Sequence, residues 1–311
     1  MKIFNSDREL FLYVRNYDLE TIQPTINSFN YYHVDKINIK EVLTNIYRDD
    51  SILLIDARSE KEHKESSIPN SHNFPILKNE ERHNVGLVYR KYSAIAAFQL
   101  AVEYANEKYE NLKNFLENNL AHKKKIYIYC WRGGGRSKYL AKMINELSYE
   151  CKTIIGGFKS YRNFVNNFFS DKSSESELNK IKLIELSGMT GVGKTLILNH
   201  LKNYIPVIDL EEAAHHYSSL FGSIPYLIRN FEPVKSQASF ENNIYSQILK
   251  GLQSKYYNGF FVIESESKKV GDFFIPEALY KKIESAPTIQ IESSNEKRIE
   301  RIIADYFGDD F

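Results

Sequence analysis

Cysteine is scarce in this 311-residue sequence, which contains only Cys130 and Cys151. They form no CxxC pair and belong to no Cys/His cluster, and two thiols are too few for a disulfide scaffold. We therefore expect no structural metal site. Any chemistry at either cysteine has to come from the residues beside it.

Excess charge and long apolar runs are missing as well. The 41 Lys and Arg residues nearly balance the 40 Asp and Glu residues, so the formal net charge is only +1. RNA binding would therefore have to use local basic patches. No apolar run is long enough for a transmembrane helix, and the start of the chain mixes charged with apolar side chains, unlike a secretory signal. We expect a cytoplasmic protein with no membrane association.

The length and pattern of the chain predict two α/β domains. Single hydrophobic cores usually stop growing near roughly 250 residues, so 311 residues suffice for two. Short β-branched runs precede helix-like stretches in both halves, which is typical of parallel sheets covered by helices. The strand candidates are residues 51–56, 125–129, 152–155, 181–186, 207–210, 260–263 and 288–291.

A linker between the domains is predicted at residues 170–180, which are rich in Ser and charge and lack an apolar period. The first domain would then occupy residues 39–169 and the second residues 181–311. Residues 1–38 contain helix-like turns but no motif, so they are an N-terminal extension of unknown role.

Cys130 follows a buried-strand pattern and opens the glycine-rich segment CWRGGGRS, residues 130–137, which we call the cysteine loop. A helix pattern starts at its end. Backbone N–H groups and the helix dipole favour a thiolate at a strand end that faces a helix N-terminus. Arg132 and Arg136 add positive charge, so these two arginines and Cys130 are the candidate catalytic residues. The alternative is that Cys130 is a buried strand-end residue and that the glycines only form a turn.

A second anion site is predicted where the stretch GMTGVGKT begins at Gly188, because it matches the phosphate-loop pattern G-x-x-x-x-G-K-[ST] between a strand and a helix. Together with Gly188, Gly191 and Gly193 allow backbone amides to surround a phosphate. Lys194 would neutralise the phosphate oxygens, and the Thr195 hydroxyl would ligate Mg²⁺. The motif indicates a bound diphosphate or triphosphate but does not identify the reaction.

Acidic residues follow a later strand pattern at Glu264 and Glu266. This is where phosphate-loop proteins place a metal-linked or water-orienting carboxylate. Lys268 and Lys269 come next and could meet phosphate. The alternative is a solvated charged loop.

Several strings in the sequence resemble known families. Asp56 and Arg58 after a strand, Glu62, the cysteine loop and the pair 156–157 resemble the rhodanese-type sulfurtransferase fold. Asp56 and Arg58 could equally form a structural ion pair. More specific strings resemble the tRNA 2-selenouridine synthase family, and they occur in both halves of the chain: residues 79–86 with Tyr89, 130–137, 156–162, 209–211, 215–222, 237–242 and 263–271.

This resemblance implies a rhodanese-like parallel-sheet domain followed by a P-loop NTPase-like α/β domain. It implies a transferase that replaces sulfur by selenium at C2 of a wobble 2-thiouridine in tRNA through a geranylated intermediate. Selenophosphate and geranyl diphosphate would be the co-substrates, and an enzyme that produces selenophosphate would be a partner besides tRNA. The phosphate loop, with Asp209, Glu264 and Glu266, would hold the diphosphate leaving group. Cys130 would handle selenium, either as a carrier or as a nucleophile.

Two departures from the family pattern lead to alternatives. Tyr217-Ser218 replaces an Arg-Gly pair, so a bidentate phosphate donor is lost if that arginine contacts the substrate. Family members normally continue beyond a segment like residues 298–307, so we expect the P-loop domain to be incomplete at Phe311. The chain could instead be a sulfurtransferase fused to a small-molecule kinase, or a truncated non-catalytic remnant. If tRNA binds, contacts are expected from Trp131 by stacking and from Arg132, Arg136, Lys159, Arg162, Lys235, Lys268 and Lys269.

Overall fold

The computed structural model describes residues 3–120, 125–170, 177–217, 222–228 and 231–307. The chain forms two compact units, Met1–Tyr161 and Arg162–Phe311. Within the predicted linker, residues 171–176 lie outside the described ranges, and Glu177–Lys180 forms a short 3-10 helix.

The first unit is a parallel sheet covered by helices. Its elements in chain order are α1 (Asp7–Val14), α2 (Leu19–Tyr31), β1 (Lys36–Ile37), α3 (Ile39–Asn45), β2 (Ile52–Asp56), α4 (Glu60–Glu65), β3 (Ser71–Asn73), α5 (Asn79–Lys91), α6 (Ala94–Asn106), α7 (Tyr109–Leu120), β4 (Lys125–Tyr129), α8 (Gly135–Glu146), β5 (Cys151–Ile154) and α9 (Gly157–Phe168). The strands have the order β1-β5-β4-β2-β3, and every neighbouring pair is parallel. The predicted α/β class is confirmed for this unit.

The core of the first unit lies against both faces of the sheet. All five residues of β2 are buried, as expected for a strand in the middle of a parallel sheet with helices on each side. Leu53 and Ile55 belong to the same buried cluster as Ile128 of β4. Leu10 and Val14 of α1 join that cluster. The N-terminal extension is therefore part of the fold of this unit, which its sequence did not indicate.

The second unit is also a parallel sheet with helices around it. Its elements are β6 (Lys182–Ser187), α10 (Lys194–Leu201), β7 (Val207–Ile208), α11 (Leu210–Ala214), α12 (Ile224–Ile228), α13 (Gln237–Gln253), β8 (Phe260–Glu264), β9 (Lys269–Val270), β10 (Phe273–Phe274), α14 (Glu277–Glu284), β11 (Thr288–Gln290) and α15 (Asn295–Phe307). The main sheet has the order β11-β6-β8-β7 and is parallel throughout, while β9 and β10 form an antiparallel pair. The α/β prediction is confirmed here too.

The second unit begins inside α9, ahead of the predicted linker. The rings of Phe164 and Phe168 contact the Tyr245 ring of α13, with centroids 5.8 and 5.0 Å apart. Arg162 donates hydrogen bonds to Glu241 Oε2 (2.8 Å) and to the carbonyl of Ala238 (3.1 Å). The end of α9 therefore packs as part of this unit, a long-range pairing that local composition does not reveal.

Asp56 and Arg58 form a buried ion pair at the end of β2, which supports the structural alternative for these residues. Arg58 Nη2 lies 2.6 Å from Asp56 Oδ2, and both side chains are almost fully buried. The guanidinium also lies over the Phe158 ring and donates to the carbonyl of Ser66. Burial alone would raise the pKa of Asp56, but hydrogen bonds from His63 and Arg58 outweigh it and hold this pKa below its ordinary value.

Replacing Arg58 by Ala should destabilise the first unit by about 3–5 kcal/mol, because it leaves the Asp56 carboxylate buried without its main partner. Urea unfolding of the full chain measures the change. A matched control is Lys142→Ala, which removes an exposed partner of Glu146 and should cost less than about 1 kcal/mol. Equal losses for the two variants would contradict the structural role of Arg58.

Candidate functional site

Cys130 lies at the carboxyl end of β4, directly before the N-terminus of α8. Its side chain is 4% exposed. The Gly134 N–H donates to Cys130 Sγ at 3.3 Å, and Ser137 Oγ lies 3.3 Å from the same sulfur. The sequence prediction of a thiol facing a helix start therefore matches the geometry. The hydroxyl contact from Ser137 was not predicted, although this residue closes the same glycine-rich string.

The cysteine loop is held by the turn between β5 and α9. Phe158 N–H donates to the Cys130 carbonyl at 2.8 Å, and Lys159 N–H donates to the Trp131 carbonyl at 3.0 Å. Gly157 has a φ of +57°, and a Cβ there would collide with the Cys130 carbonyl oxygen. This close approach requires glycine. It also brings together two of the strings that carry the family resemblance.

The two arginines of the cysteine loop have different environments. Arg136 donates to both carboxylate oxygens of Glu62, at 2.6 and 3.2 Å, and Arg82 lies 3.1 Å from the same carboxylate. Burial alone would raise the pKa of Glu62, but its hydrogen bond with Arg136 and the nearby charges outweigh it and lower this pKa. Glu62 therefore compensates much of the charge of Arg136. Arg132 is exposed and forms no ion pair within the described part of the chain.

Cys151 has an environment unlike that of Cys130. It starts β5, and its Sγ contacts the Ala141 carbonyl and Asn145 Oδ1. Burial raises the pKa of the Cys151 thiol to about 12, so this thiol stays protonated at neutral pH. Cys151 is a packing residue, which leaves Cys130 as the candidate for thiol chemistry.

The phosphate loop connects β6 to α10 as the motif predicts. Gly191 and Gly193 have φ values of +77° and +97°, which glycine adopts at low energetic cost. Lys194 Nζ donates to the Gly188 carbonyl at 2.7 Å. No carboxylate in the described ranges pairs with this ammonium group, so its charge is available to an anion.

A cavity of about 640 Å³ lies at the phosphate loop. Seven of the eight residues predicted to bind a cofactor line it: Gly188, Gly191, Gly193, Lys194, Thr195, Asp209 and Glu266. The eighth, Glu264, does not line the cavity. The volume of the cavity is within the range of roughly 300–1,000 Å³ that small-molecule sites occupy.

Two arginines of α15 support the phosphate loop from outside the motif. Arg298 Nε donates to the Thr190 carbonyl at 3.0 Å. Arg301 Nη1 donates to the carbonyls of Gly191 and Val192, at 3.2 and 3.0 Å, and Arg301 also lines the cavity. These bonds give partners to three consecutive loop carbonyls. Sequence reasoning missed both arginines, because only their shared helix face connects them with a loop about a hundred residues earlier.

The acidic residues near the phosphate loop differ in their partners. Asp209 caps α11 and pairs with Lys202 Nζ at 2.9 Å. Glu264 is fully buried at the end of β8, where Oε1 accepts from the Glu211 N–H at 2.8 Å. Glu264 Oε2 has no hydrogen-bond partner among the described residues. Burial, and then the charges of Asp209 and Glu211, raise the pKa of Glu264 well above its ordinary value of 4.5.

The hydroxyl and carboxylate oxygens that line the phosphate-loop cavity are of the kind that Mg²⁺ binds, because this ion takes one or two carboxylates together with phosphate oxygens and water. The Thr195 hydroxyl and Glu266 line the cavity, and the orphan oxygen of Glu264 lies near Asp209 and Glu211. No group of three or more His, Cys, Asp or Glu side chains suited to a metal occurs in the described part of the chain. A divalent ion would therefore depend on the Thr195 hydroxyl and on the bound phosphate.

Glu264→Gln should stabilise the unliganded protein, because it removes a buried acid whose ionisation is unfavourable. Because the pKa of Glu264 is raised in the folded state, this carboxyl group contributes stability to the parent at pH values below its ordinary pKa of 4.5. The contribution is lost as the pH rises through the folded-state pKa. The melting-temperature gain over the parent should therefore grow from pH 5 to pH 8, reaching the few degrees that about 1 kcal/mol produces. Thermal unfolding across this range measures it. A gain that is constant or falls with pH would contradict the assignment.

The remaining candidate residues are spread over both units. Trp131 is 43% exposed and contacts the Phe158 ring at 5.6 Å, so part of its face is free for stacking. The side chains of Lys159, Lys235, Lys268 and Lys269 are exposed, whereas Arg162 forms hydrogen bonds within the second unit.

Tyr217, at the position of the missing arginine, lines the phosphate-loop cavity and contacts the Tyr226 ring. Ser218 lies outside the described residues. Within the described ranges, no helix has the length and apolar composition needed to cross a bilayer.

Comparisons with known proteins match a family domain to each half of the chain. The model of the tRNA 2-selenouridine synthase AAA domain matches residues 181–310, and the model of the rhodanese-like domain matches residues 38–164. A crystal structure of a rhodanese-related protein from Thermoplasma volcanium covers 42% of this chain and 92% of its own, at 20% identity and a TM-score of 0.26.

Curated relatives match most of the chain. The tRNA 2-selenouridine synthase of Nitrosomonas eutropha is 32% identical over 266 residues, which are 85% of this chain and 65% of the relative. That of Bdellovibrio bacteriovorus is 33% identical over 277 residues, 86% of this chain and 68% of the relative. The chain thus spans about two thirds of the length of these relatives. The chain belongs to the tRNA 2-selenouridine synthase family.

Proposed function

We propose that this protein modifies tRNA in the cytoplasm, replacing sulfur by selenium at C2 of a wobble 2-thiouridine through an S-geranylated intermediate. The observation that carries the proposal is that one chain holds two anion sites. One is a thiol that accepts a hydrogen bond from an amide at a helix N-terminus, and the other is a phosphate-loop cavity. Each site suits a different anion. The family strings lie at both sites, which supports their use in one pathway.

In the first step, the C2 sulfur of 2-thiouridine attacks C1 of geranyl diphosphate. The new S–C bond forms as the C1–O bond breaks, and diphosphate leaves while the base loses its N3 proton. The phosphate-loop amides and Lys194 stabilise the charge that develops on the leaving group. Mg²⁺ at Thr195 would neutralise part of that charge, with Glu266 as the acidic residue that lines the same cavity.

In the second step, Cys130 Sγ adds at C2 and loses its proton, the C2–S bond to the geranylated sulfur breaks, and geranylthiol leaves with that proton. Selenium from selenophosphate then adds at C2 as the bond between C2 and Cys130 Sγ breaks, which regenerates the cysteine. Water then takes the phosphoryl group from selenium, so phosphate is released and the base keeps selenium. The cysteine loop acts here, because the Gly134 N–H donates to Cys130 Sγ at the start of α8 and Arg132 adds positive charge to the same loop. An enzyme that makes selenophosphate would supply the donor.

The nucleoside composition of tRNA tests the proposal. A strain that lacks its own 2-selenouridine synthase should regain 2-selenouridine when it expresses this 311-residue chain, as measured by mass spectrometry. An unchanged profile would refute the proposal. Thiosulfate sulfurtransferase turnover together with ATP-dependent phosphorylation, without any change in tRNA, would support a sulfurtransferase fused to a kinase instead.

A further inference from the structure

An apolar cavity of about 450 Å³ lies in the first unit among α2, α5, α6 and α8. Its wall is almost entirely hydrocarbon and includes Phe29, Val85, Phe98 and Ala101. Phe29 of α2 contacts the rings of Phe98 and Tyr139, at centroid distances of 5.5 and 5.7 Å. The N-terminal extension thus supplies one side of the cavity. An open apolar cavity of this size is typical of a ligand site.

One end of this apolar cavity is next to the cysteine loop. Gly135 and Arg136, in the first turn of α8, line the cavity. The preceding residue, Gly134, donates its N–H to Cys130 Sγ. A ligand in the cavity would therefore have the Glu62-paired guanidinium of Arg136 and a helix N-terminus at the end nearest the thiol, and hydrocarbon along the rest.

A polar cavity of about 820 Å³ adjoins the apolar one. The two share Leu77, Val85, Tyr89 and Arg136 as lining residues. The polar cavity is otherwise lined mostly by charged and hydrogen-bonding side chains. They include Glu62 of α4, together with Arg82 and His83 of the string that begins at Asn79. Tyr89, 65% exposed, lies at the junction. The family string of α5 therefore lines a composite site that is polar on one side and apolar on the other.

We propose that the apolar cavity binds the geranyl chain of an S-geranyl-2-thiouridine while the nucleoside occupies the adjoining polar cavity. This inference rests on the proposed function and assigns the hydrocarbon of the intermediate to the rhodanese-like unit. The occupant follows from the lining: an acyclic hydrocarbon suits the apolar wall, and a hydrogen-bonding head suits the polar cavity. The scissile C2–S bond then lies at the Arg136 end, towards Cys130.

Binding of two nucleoside probes to the full chain tests this assignment. S-geranyl-2-thiouridine should bind at least about tenfold more tightly than 2-thiouridine, because only the former buries a hydrocarbon chain. Ala101→Phe fills the cavity and should abolish this preference. The control Glu107→Phe adds the same ring at an exposed position that does not line the cavity, and should retain it. Isothermal titration calorimetry provides the affinities.

Ala94→Phe serves as a second filling variant, since Ala94 is exposed at the cavity rim and tolerates a larger side chain with little risk to folding. It should also lower the preference for the geranylated probe. Equal binding of the two probes by the parent, or an unchanged preference in both filled variants, would overturn the inference.

The binding test and the tRNA assay distinguish an error in the cavity assignment from an error in the proposed function. If the parent forms 2-selenouridine in cells but shows no chain-dependent binding, the cavity assignment is wrong and the proposed function stands. If the geranylated probe binds in the cavity but cells contain neither modified nucleoside, the site assignment stands and the proposed reaction is wrong.

Discussion

Cys130→Ser should reduce 2-selenouridine in tRNA by roughly 100-fold or more and cause S-geranyl-2-thiouridine to accumulate. A serine hydroxyl remains protonated at neutral pH and is a much weaker nucleophile than a thiolate. The substitution is nearly isosteric, and the serine oxygen can still accept the Gly134 N–H that now contacts the sulfur. Mass spectrometry of nucleosides from a complemented strain measures both products.

Cys151→Ser is the matched control for this thiol chemistry. Because burial raises the pKa of Cys151 to about 12, its thiol is neutral at physiological pH and has no reactive role in the proposed reaction. Modification should stay within about twofold of the parent, provided the protein level is equal. Loss of selenouridine in Cys151→Ser, or its retention in Cys130→Ser, would contradict the assignment of the active thiol.

Seven of the eleven strands in the described ranges and the two loops could be predicted because their signals are local, whereas the short strands β1, β3, β9 and β10 were missed. A β-branched run followed by glycines and a helix pattern locates Cys130 at the end of β4, and the same logic locates Lys194 at the start of α10. Each loop then lies at the carboxyl edge of the parallel sheet of its own unit, where open α/β sheets bind ligands. All seven strand candidates overlap observed strands.

Pairings between distant residues could not be predicted in this way. Arg136 is 74 residues from Glu62 along the chain, so its ion pair depends on how α4 and α8 pack. The same holds for Arg298 and Arg301 at the phosphate loop, and for the apolar cavity that α2 helps to form. Sequence patterns show which residues carry charge or hydrocarbon, whereas packing decides which of them remain available to a ligand.

Lys194→Ala should lower geranyl transfer by roughly 100-fold, because it removes a positive charge that stabilises the leaving diphosphate. Among the described residues, the Lys194 ammonium group hydrogen-bonds only to the Gly188 carbonyl, a weak partner that a phosphate would displace. Both S-geranyl-2-thiouridine and 2-selenouridine should disappear from tRNA, unlike the accumulation expected for Cys130→Ser. Lys182→Ala is the control, since Lys182 is exposed at the start of β6 and does not line the cavity.

Supplying tRNA that already carries S-geranyl-2-thiouridine separates the two sites. With selenophosphate, purified Lys194→Ala should convert this tRNA at a rate within a few fold of the parent, because the phosphate loop is not needed once diphosphate has left. Cys130→Ser should remain inactive on the same substrate. If Lys194→Ala also fails while remaining folded, the phosphate loop is required for the selenium step as well, and the proposed division of labour between the two sites is wrong.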